Sequence, residues 1–255
     1  MRLYIGKDSK RYIDTAQPID ISIPLTADIE NPRAWYVDFP VFEPVKGDGF
    51  IGEVAKGGSV NFRNIFFNPH GHGTHTECLG HITETVHSIN KVLKNGFYTC
   101  HLVTVEPVRK WNEQYQEWDE VITGDQLQPL LEKKTTQALV IRTAPNSPEK
   151  KSRNYSATNP PYMDISCIDL ISQAGILHLL TDLPSVDREN DGGKLAFHKA
   201  FWRIPEDPAF DKTITEFIYA DSQIRDGEYL LNLQTAPFEN DATPSRPVLF
   251  QIFED

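Results

Sequence analysis

The chain has 255 residues, with 25 Lys or Arg against 36 Asp or Glu, a formal net charge of −11 at pH 7. Hydrophobic residues make up 39% and charged residues 24%, the balance of a globular chain and not of a disordered one, and the length is ample to bury a core. The acidity argues against a nucleic-acid partner, because phosphate recognition needs a basic face, and no stretch approaches the roughly 18 apolar residues of a membrane helix.

In chain order, the first residues carry no apolar h-region, so no secretory leader is expected. Strands are predicted over residues 20–25 and 59–67, where β-branched and aromatic residues are flanked by turn formers. A helix is predicted over 84–94: Val86, Ile89 and Leu93 recur at helical spacing, and Gly96 follows as a stop. A strand over 99–108, a helix over 125–133 and a strand over 138–143 come next. Residues 145–162 are polar, carry four prolines and read as a long surface loop. A helix over 164–174 with Gly175 behind it, and strands over 176–181, 213–219, 229–234 and 248–253, complete the pattern. Residues 186–194 and 238–247 read as further loops. The mixture is α/β with a substantial strand share, and one domain spanning 1–255 is expected. Cysteines stand only at 78, 100 and 167. Their odd number and wide spacing give neither a disulfide framework nor a CxxC knuckle, as expected of a reducing cytoplasm.

One segment has a dense chemical signal: Asn68-Pro69-His70-Gly71-His72-Gly73-Thr74-His75-Thr76-Glu77-Cys78-Leu79-Gly80-His81. Four of the eight histidines fall between His70 and His81. Histidine is the commonest side-chain metal ligand, and carboxylates complete such sites for zinc or manganese. If the chain is extended through His75-Thr76-Glu77, imidazole and carboxylate share a face. Gly71 and Gly73 would let the preceding backbone turn, so that His70 or His72 folds back toward the same point. A His/Gly loop can also be a plain solvated turn. The clustering with Glu77 favours a site.

The segment resembles the signature of the cyclase family of metal-dependent hydrolases, which includes bacterial kynurenine formamidases and isatin hydrolases: His-x-Gly-Thr-His-x-Asp-Ala-Pro-x-His. Gly73-Thr74-His75 matches its Gly-Thr-His, Glu77 stands in place of the Asp, and His81 matches the final His. Gly71 stands where the first His is expected, with His70 and His72 on either side. His70 is the preferred ligand because His72 sits very close to His75. Cys78-Leu79 replaces Ala-Pro. Downstream, Asp182-Leu183-Pro184-Ser185-Val186-Asp187 resembles the family's Asp-x-Pro-Ser-x-Asp, His198 follows at the place of a second-site metal histidine, and Ile214-Thr215-Glu216 resembles the strand supplying a metal-binding Glu. Asp20-Ile21-Ser22 resembles the opening strand.

The resemblance implies a mixed or barrel-like sheet flanked by helices, of swivelling β/β/α type. It implies one or two Zn²⁺ or Mn²⁺ ions held by His70, His75, Glu77, His198 and Glu216: the first three around one ion, and Glu77, His198 and Glu216 around a second, with Glu77 bridging. It implies hydrolysis of a small-molecule amide such as N-formylkynurenine, or of a cyclic amide, with His81 as general base and then acid, in a homo-oligomer (dimer or tetramer). Read alone, His198 sits in a packing environment and Glu216 on a β-branched run where a lone Glu is usually solvated. Asp182 and Asp187 read as turn formers with a site-shaping role, Arg142 as a strand-end ion pair or an anchor for an anionic substrate, and His87, His101 and His178 as structural. Trp35, Tyr36, Phe39 and Phe42 are core packing by default, or the wall of a pocket for an aromatic ring. A non-enzymatic protein that binds a metal or small acid without turnover is the alternative, and a Cys78 nucleophile a distant third.

Overall fold

The run Ala138–Thr143 is buried at every position, and a strand of that kind needs cover on both faces, as in the parallel sheets of α/β proteins. In the computed structural model, which describes residues 1–6 and 10–255, it lies parallel to Phe97–Val105 on one side and to His178–Thr181 on the other. Beyond His178–Thr181 the sheet continues through parallel Thr213–Glu216 to antiparallel His75–Glu77. Beyond Phe97–Val105 it continues through antiparallel Gly227–Thr235 to Ala242–Glu254. The ends meet, because Ala242, Thr243 and Pro244 pair with Glu77, Thr76 and His75. Seven strands thus close into a mixed barrel, and the short strands Arg2–Tyr4, Arg11–Asp14 and Ile19–Asp20 extend it along the far part of Ala242–Glu254.

Alternation along each strand sorts the core into two layers. Cys100, Leu102, Ala138, Val140, Leu231 and Leu249 share one apolar cluster. Val103, Leu139, Ile141, Leu179 and Ile214 belong to the other, which they form with the helices Gly124–Leu131, Ile168–Gln173 and Ala196–Phe201 through Leu127, Ile171, Phe197 and Phe201. The α/β class and the barrel-like mixed sheet flanked by helices are as the sequence predicts. No helix among the described residues is long and apolar enough to cross a membrane.

Local departures have local causes. The helix expected over 84–94 is a single turn, Ile89–Val92: Val86 is 61% exposed, and a short helix without a packed face does not hold. The loop expected over 238–247 instead contains the start of the barrel-closing strand, whose Pro244 hides it from a strand pattern. The hairpin Val108–Asn112/Glu117–Ile122 is mostly exposed on its outer strand and so lacks apolar alternation. The six-residue helix Ala196–Phe201 is too short to show a period, and it is fixed from outside by Asp187, whose carboxylate accepts from the N–H groups of Phe197 (2.8 Å) and His198 (3.1 Å). The strand expected over 59–67 shortens to Arg63–Phe66 and pairs with Val41–Pro44, outside the barrel.

His178 yields a test of this core. It is buried against the Tyr98 ring (4.0 Å between centroids), with Nδ1 2.8 Å from Thr213 Oγ1, and burial pushes its pKa down from 6.5 to about 4. Between those values the unfolded chain binds a proton that the folded chain refuses, so stability is full above pH 6.5 and falls as pH drops toward 4. The whole shift corresponds to about 3 kcal/mol. Denaturant unfolding at pH 7 and pH 4.5 is expected to show this loss in the wild type and a shallower one in His178→Gln; equal slopes in the two proteins would contradict it.

Candidate metal centre

Strand register places the central ligands. His75 and Glu77 lie two apart on one strand, and Glu216 stands directly opposite His75 on its neighbour, so all three side chains leave the same face of the barrel. That face also carries Ile214, opposite Glu77, which packs with the helix layer. The centre therefore lies between the barrel's outer face and the helix Ala196–Phe201, which delivers His198. His75, Glu77, His198 and Glu216 are all buried.

Three imidazoles share one arrangement. In each, the outer nitrogen meets an oxygen acceptor and the inner nitrogen faces the buried carboxylates. His75 Nδ1 lies 2.9 Å from Gly73 O, with Nε2 3.5 Å from Glu216 Oε2. His198 Nδ1 lies 2.6 Å from Asp187 Oδ2, with Nε2 3.1 Å from Glu77 Oε1. His70 Nε2 lies 2.8 Å from Asp241 Oδ2, with Nδ1 3.0 Å from Glu77 Oε2. Outer acceptors of this kind fix the tautomer and turn the free nitrogen inward, as they do around metal-bound histidines.

Two buried atoms are left over. His75 Nε2 and Glu77 Oε2 have no hydrogen bond of good geometry, and unpaired buried polar atoms are costly. Donor atoms of His75, Glu77 and Glu216 lie within 4.8 Å of one another, and so do those of His70, Glu77 and His81. An imidazole-and-carboxylate set suits Zn²⁺ or Mn²⁺, and an ion would satisfy both orphaned atoms, so the residues fit the group. Glu77 is common to both sets; His75 falls with Glu216, and His70 with His81.

The electrostatics centre on Glu77. Burial would raise its pKa, but His81, His198 and His70 around it hold it well below the ordinary carboxylate range. Burial would lower the pKa of His70 and of His198. The nearby carboxylates of Asp241 and Glu77 in the first case, and of Asp187 and Glu77 in the second, outweigh it and raise both to about 10. A divalent cation among these groups would likewise balance the buried carboxylates.

The glycine loop explains the displaced histidine. A Cβ at Gly71 would lie 2.7 Å from Val37 Cγ2 and 3.3 Å from Ala34 O, so a side chain at position 71 would have to displace Val37, and it is His70 that reaches Glu77. Gly73 takes φ +131, and Thr74 Oγ1 anchors the turn by accepting from Ile23 N at 2.7 Å and donating to Phe217 O at 2.5 Å. His72 is turned away: Nδ1 accepts from Asn68 N at 2.8 Å, and Nε2 meets Asp38 O at 2.6 Å.

The centre opens into a cleft of about 380 Å³ whose lining includes His70, His81, His198, Glu216, Ser185 and Trp35. His81 is the most exposed of these imidazoles, with its ring stacked 4.1 Å from that of His70. Trp35 walls the cleft, whereas Tyr36 is 67% exposed and Phe39 lies under the Arg33 guanidinium. Other sequence candidates fall elsewhere. Asp182 accepts from Thr143 and Lys150. Arg142 is consumed by Thr104, Asp226 and two carbonyls, the strand-end ion pair. Cys78 is buried, donates to His87 O, and burial pushes its thiol up to about 11, which removes the thiolate a nucleophile needs. Asp241 is the residue the sequence did not reveal. It lies 2.8 Å from His70 and 3.5 Å from His81, and no motif marks it; only the barrel register, which sets Ala242 opposite Glu77, brings it here.

The fold is that of a recognised class. The Cyclase family model matches residues 19–188, and the chain belongs to that family. Solved structures similar in fold include a potential metal-dependent hydrolase with cyclase activity (TM-score 0.64, 15% identity, covering 92% of this chain and 97% of that one). Another is an isatin hydrolase bound to the product analogue thioisatinate (0.62, 11%, 94% and 93%). A third is isatin hydrolase A from Ralstonia solanacearum (0.62, 11%, 93% and 92%). A search of the curated proteins finds no match.

If Asp241 orients His70, its removal should weaken metal binding without abolishing it. Zn²⁺ affinity of Asp241→Ala, measured by competition with a chromophoric chelator, is expected to fall about 10- to 100-fold; an unchanged affinity would contradict this role.

Proposed function

We propose that the chain is a metal-dependent hydrolase that cleaves the amide bond of a small aromatic substrate, an arylformamide of the N-formylkynurenine kind or a cyclic amide. The observation that carries this reading is the set of inward-facing imidazole nitrogens around buried Glu77, two of its atoms orphaned, at the floor of a cleft. Family membership and the hydrolase neighbours support it.

His70, His75, Glu77, His198 and Glu216 would hold one or two Zn²⁺ or Mn²⁺ ions. Such an ion, when bound, lowers the pKa of water and polarises a carbonyl oxygen. The remaining work falls to the chain. Asp187, Gly73 O and Asp241 hold the ligand rings in place. Trp35 offers an apolar face for a planar ring. His81, at the cleft wall and within 3.9 Å of Glu77 and 3.5 Å of Asp241, accepts a proton from water at one nitrogen and returns it to the leaving nitrogen, the two halves of general acid–base catalysis.

The test is hydrolysis of a panel of arylformamides and isatins by protein loaded with Zn²⁺ or Mn²⁺. Turnover is expected, chelation should abolish it, and His81→Ala should lower kcat about 10²- to 10⁴-fold with metal content unchanged. Metal-loaded protein without turnover on any member would contradict the hydrolase reading and leave a protein that binds metal or a small acid.

A further inference from the structure

The Trp35 wall of the cleft is built on strained backbone. Trp35 and Tyr36 are consecutive and take φ 60 and 59, in the left-handed region that bulky residues avoid. In the long loop after Thr143, Ala157 and Asn159 take φ 59 and 46. Among the described residues, nine other than glycine have a positive φ, and these four stand on two segments that meet at one carboxylate. Glu189 Oε1 accepts from Ala157 N at 2.6 Å and from the Tyr36 hydroxyl at 3.3 Å, and Oε2 accepts from Asn159 N at 3.0 Å. Glu189 itself lines the cleft. Such strain persists only where the surroundings over-determine it, and it collects at binding sites.

Further ties join the same two segments. Arg33 N donates to Arg153 O, Tyr155 N to Arg33 O at 2.7 Å, and Tyr36 N to Ser156 Oγ at 2.9 Å. Tyr155 packs with Ala34 and Phe217 in a small apolar cluster against which Trp35 rests, and the Phe217 ring lies 6.1 Å from that of His75. The Trp35 ring is thus keyed through Phe217 to a candidate metal ligand. Asn159 is held twice, its N–H by Glu189 and its side chain by Asp119 at 2.8 Å, which also takes Arg188 Nε.

We propose that Glu189 is a positioning residue for substrate: its carboxylate sets the Trp35 ring as the platform on which a planar ring lies while the attached amide meets the centre. The assignment rests on the hydrolase reading for the amide and on this geometry alone for the ring. A carboxylate suits the task, because both its oxygens only accept and they meet two N–H groups and a hydroxyl in charge-assisted bonds. The stretch 187–189 then aligns both partners of the reaction: Asp187 holds the His198 ligand, and Glu189 holds the platform. A mere tie for the loop would act on every ligand whether or not Trp35 is present. A residue acting through Trp35 matters only while that ring is there.

The test is a double-mutant cycle on the binding of indole, a neutral planar ring with no amide to cleave, measured by calorimetry with circular dichroism as the check on folding. Glu189→Ala and Trp35→Ala are each expected to raise the indole Kd about 5- to 10-fold, and the double variant no further than Trp35→Ala alone. On metal-loaded protein, Glu189→Ala should raise KM for formanilide by a similar factor with kcat nearly unchanged. Glu189→Gln, which keeps one acceptor oxygen, serves as the second variant should the first unfold and is expected to show a smaller effect of the same kind. Wild type that binds no indole, Glu189 variants that bind it as wild type does, or effects that multiply in the double variant would overturn the proposal. Indole binding with the expected pattern but no turnover of formanilide would support the platform and count against the hydrolase reading alone.

Discussion

A single buried carboxylate organises this molecule. Glu77 is 1% exposed, and a buried charge left alone would cost far more than a domain can spare. Its surroundings are the answer to that cost: imidazoles of His70, His81 and His198 converge on its two oxygens. Each supporting ring is in turn held from behind, by Asp241 or Asp187. An acidic chain has thus gathered a compact group of bases around acids at one point of its fold.

Such convergence needs a rigid frame, and the closed barrel provides one. His75–Glu77 is only three residues long, yet it is paired on both sides, by Thr213–Glu216 and by Ala242–Glu254. Behind the site, Thr76 and Thr215 exchange a 2.8 Å hydrogen bond. A one-residue slip would turn His75 and Glu77 to the opposite face, so the register that closes the barrel also aims the ligands. Asp187 shows the same economy: one carboxylate caps the helix Ala196–Phe201 and orients its His198.

Much of this was legible in the sequence where chemistry and local pattern coincide. The His70–His81 segment announced itself by composition, the extended placing of His75 and Glu77 by their spacing, and the buried strand at 138–143 by its apolar run. The part of the site that depends on register between distant segments was less legible. His198 looked like a packing residue because it is one as well, with its ring 5.2 Å from Trp202. Asp241 was invisible, since its segment carries a proline and polar residues and reads as a loop. The pairing of His75 with Glu216, and of His70 with His81, follows from a cross-strand neighbour and a ring stack that no single stretch of sequence encodes.

The most direct test of the account is the metal content of protein purified without chelator, by elemental analysis of wild type and Glu77→Gln. The amide keeps the shape of the side chain and removes its charge. The account predicts one or two Zn or Mn per wild-type chain and their loss in Glu77→Gln with the fold intact. Wild-type protein that takes up neither metal, or a Glu77→Gln variant that retains the full content, would contradict it.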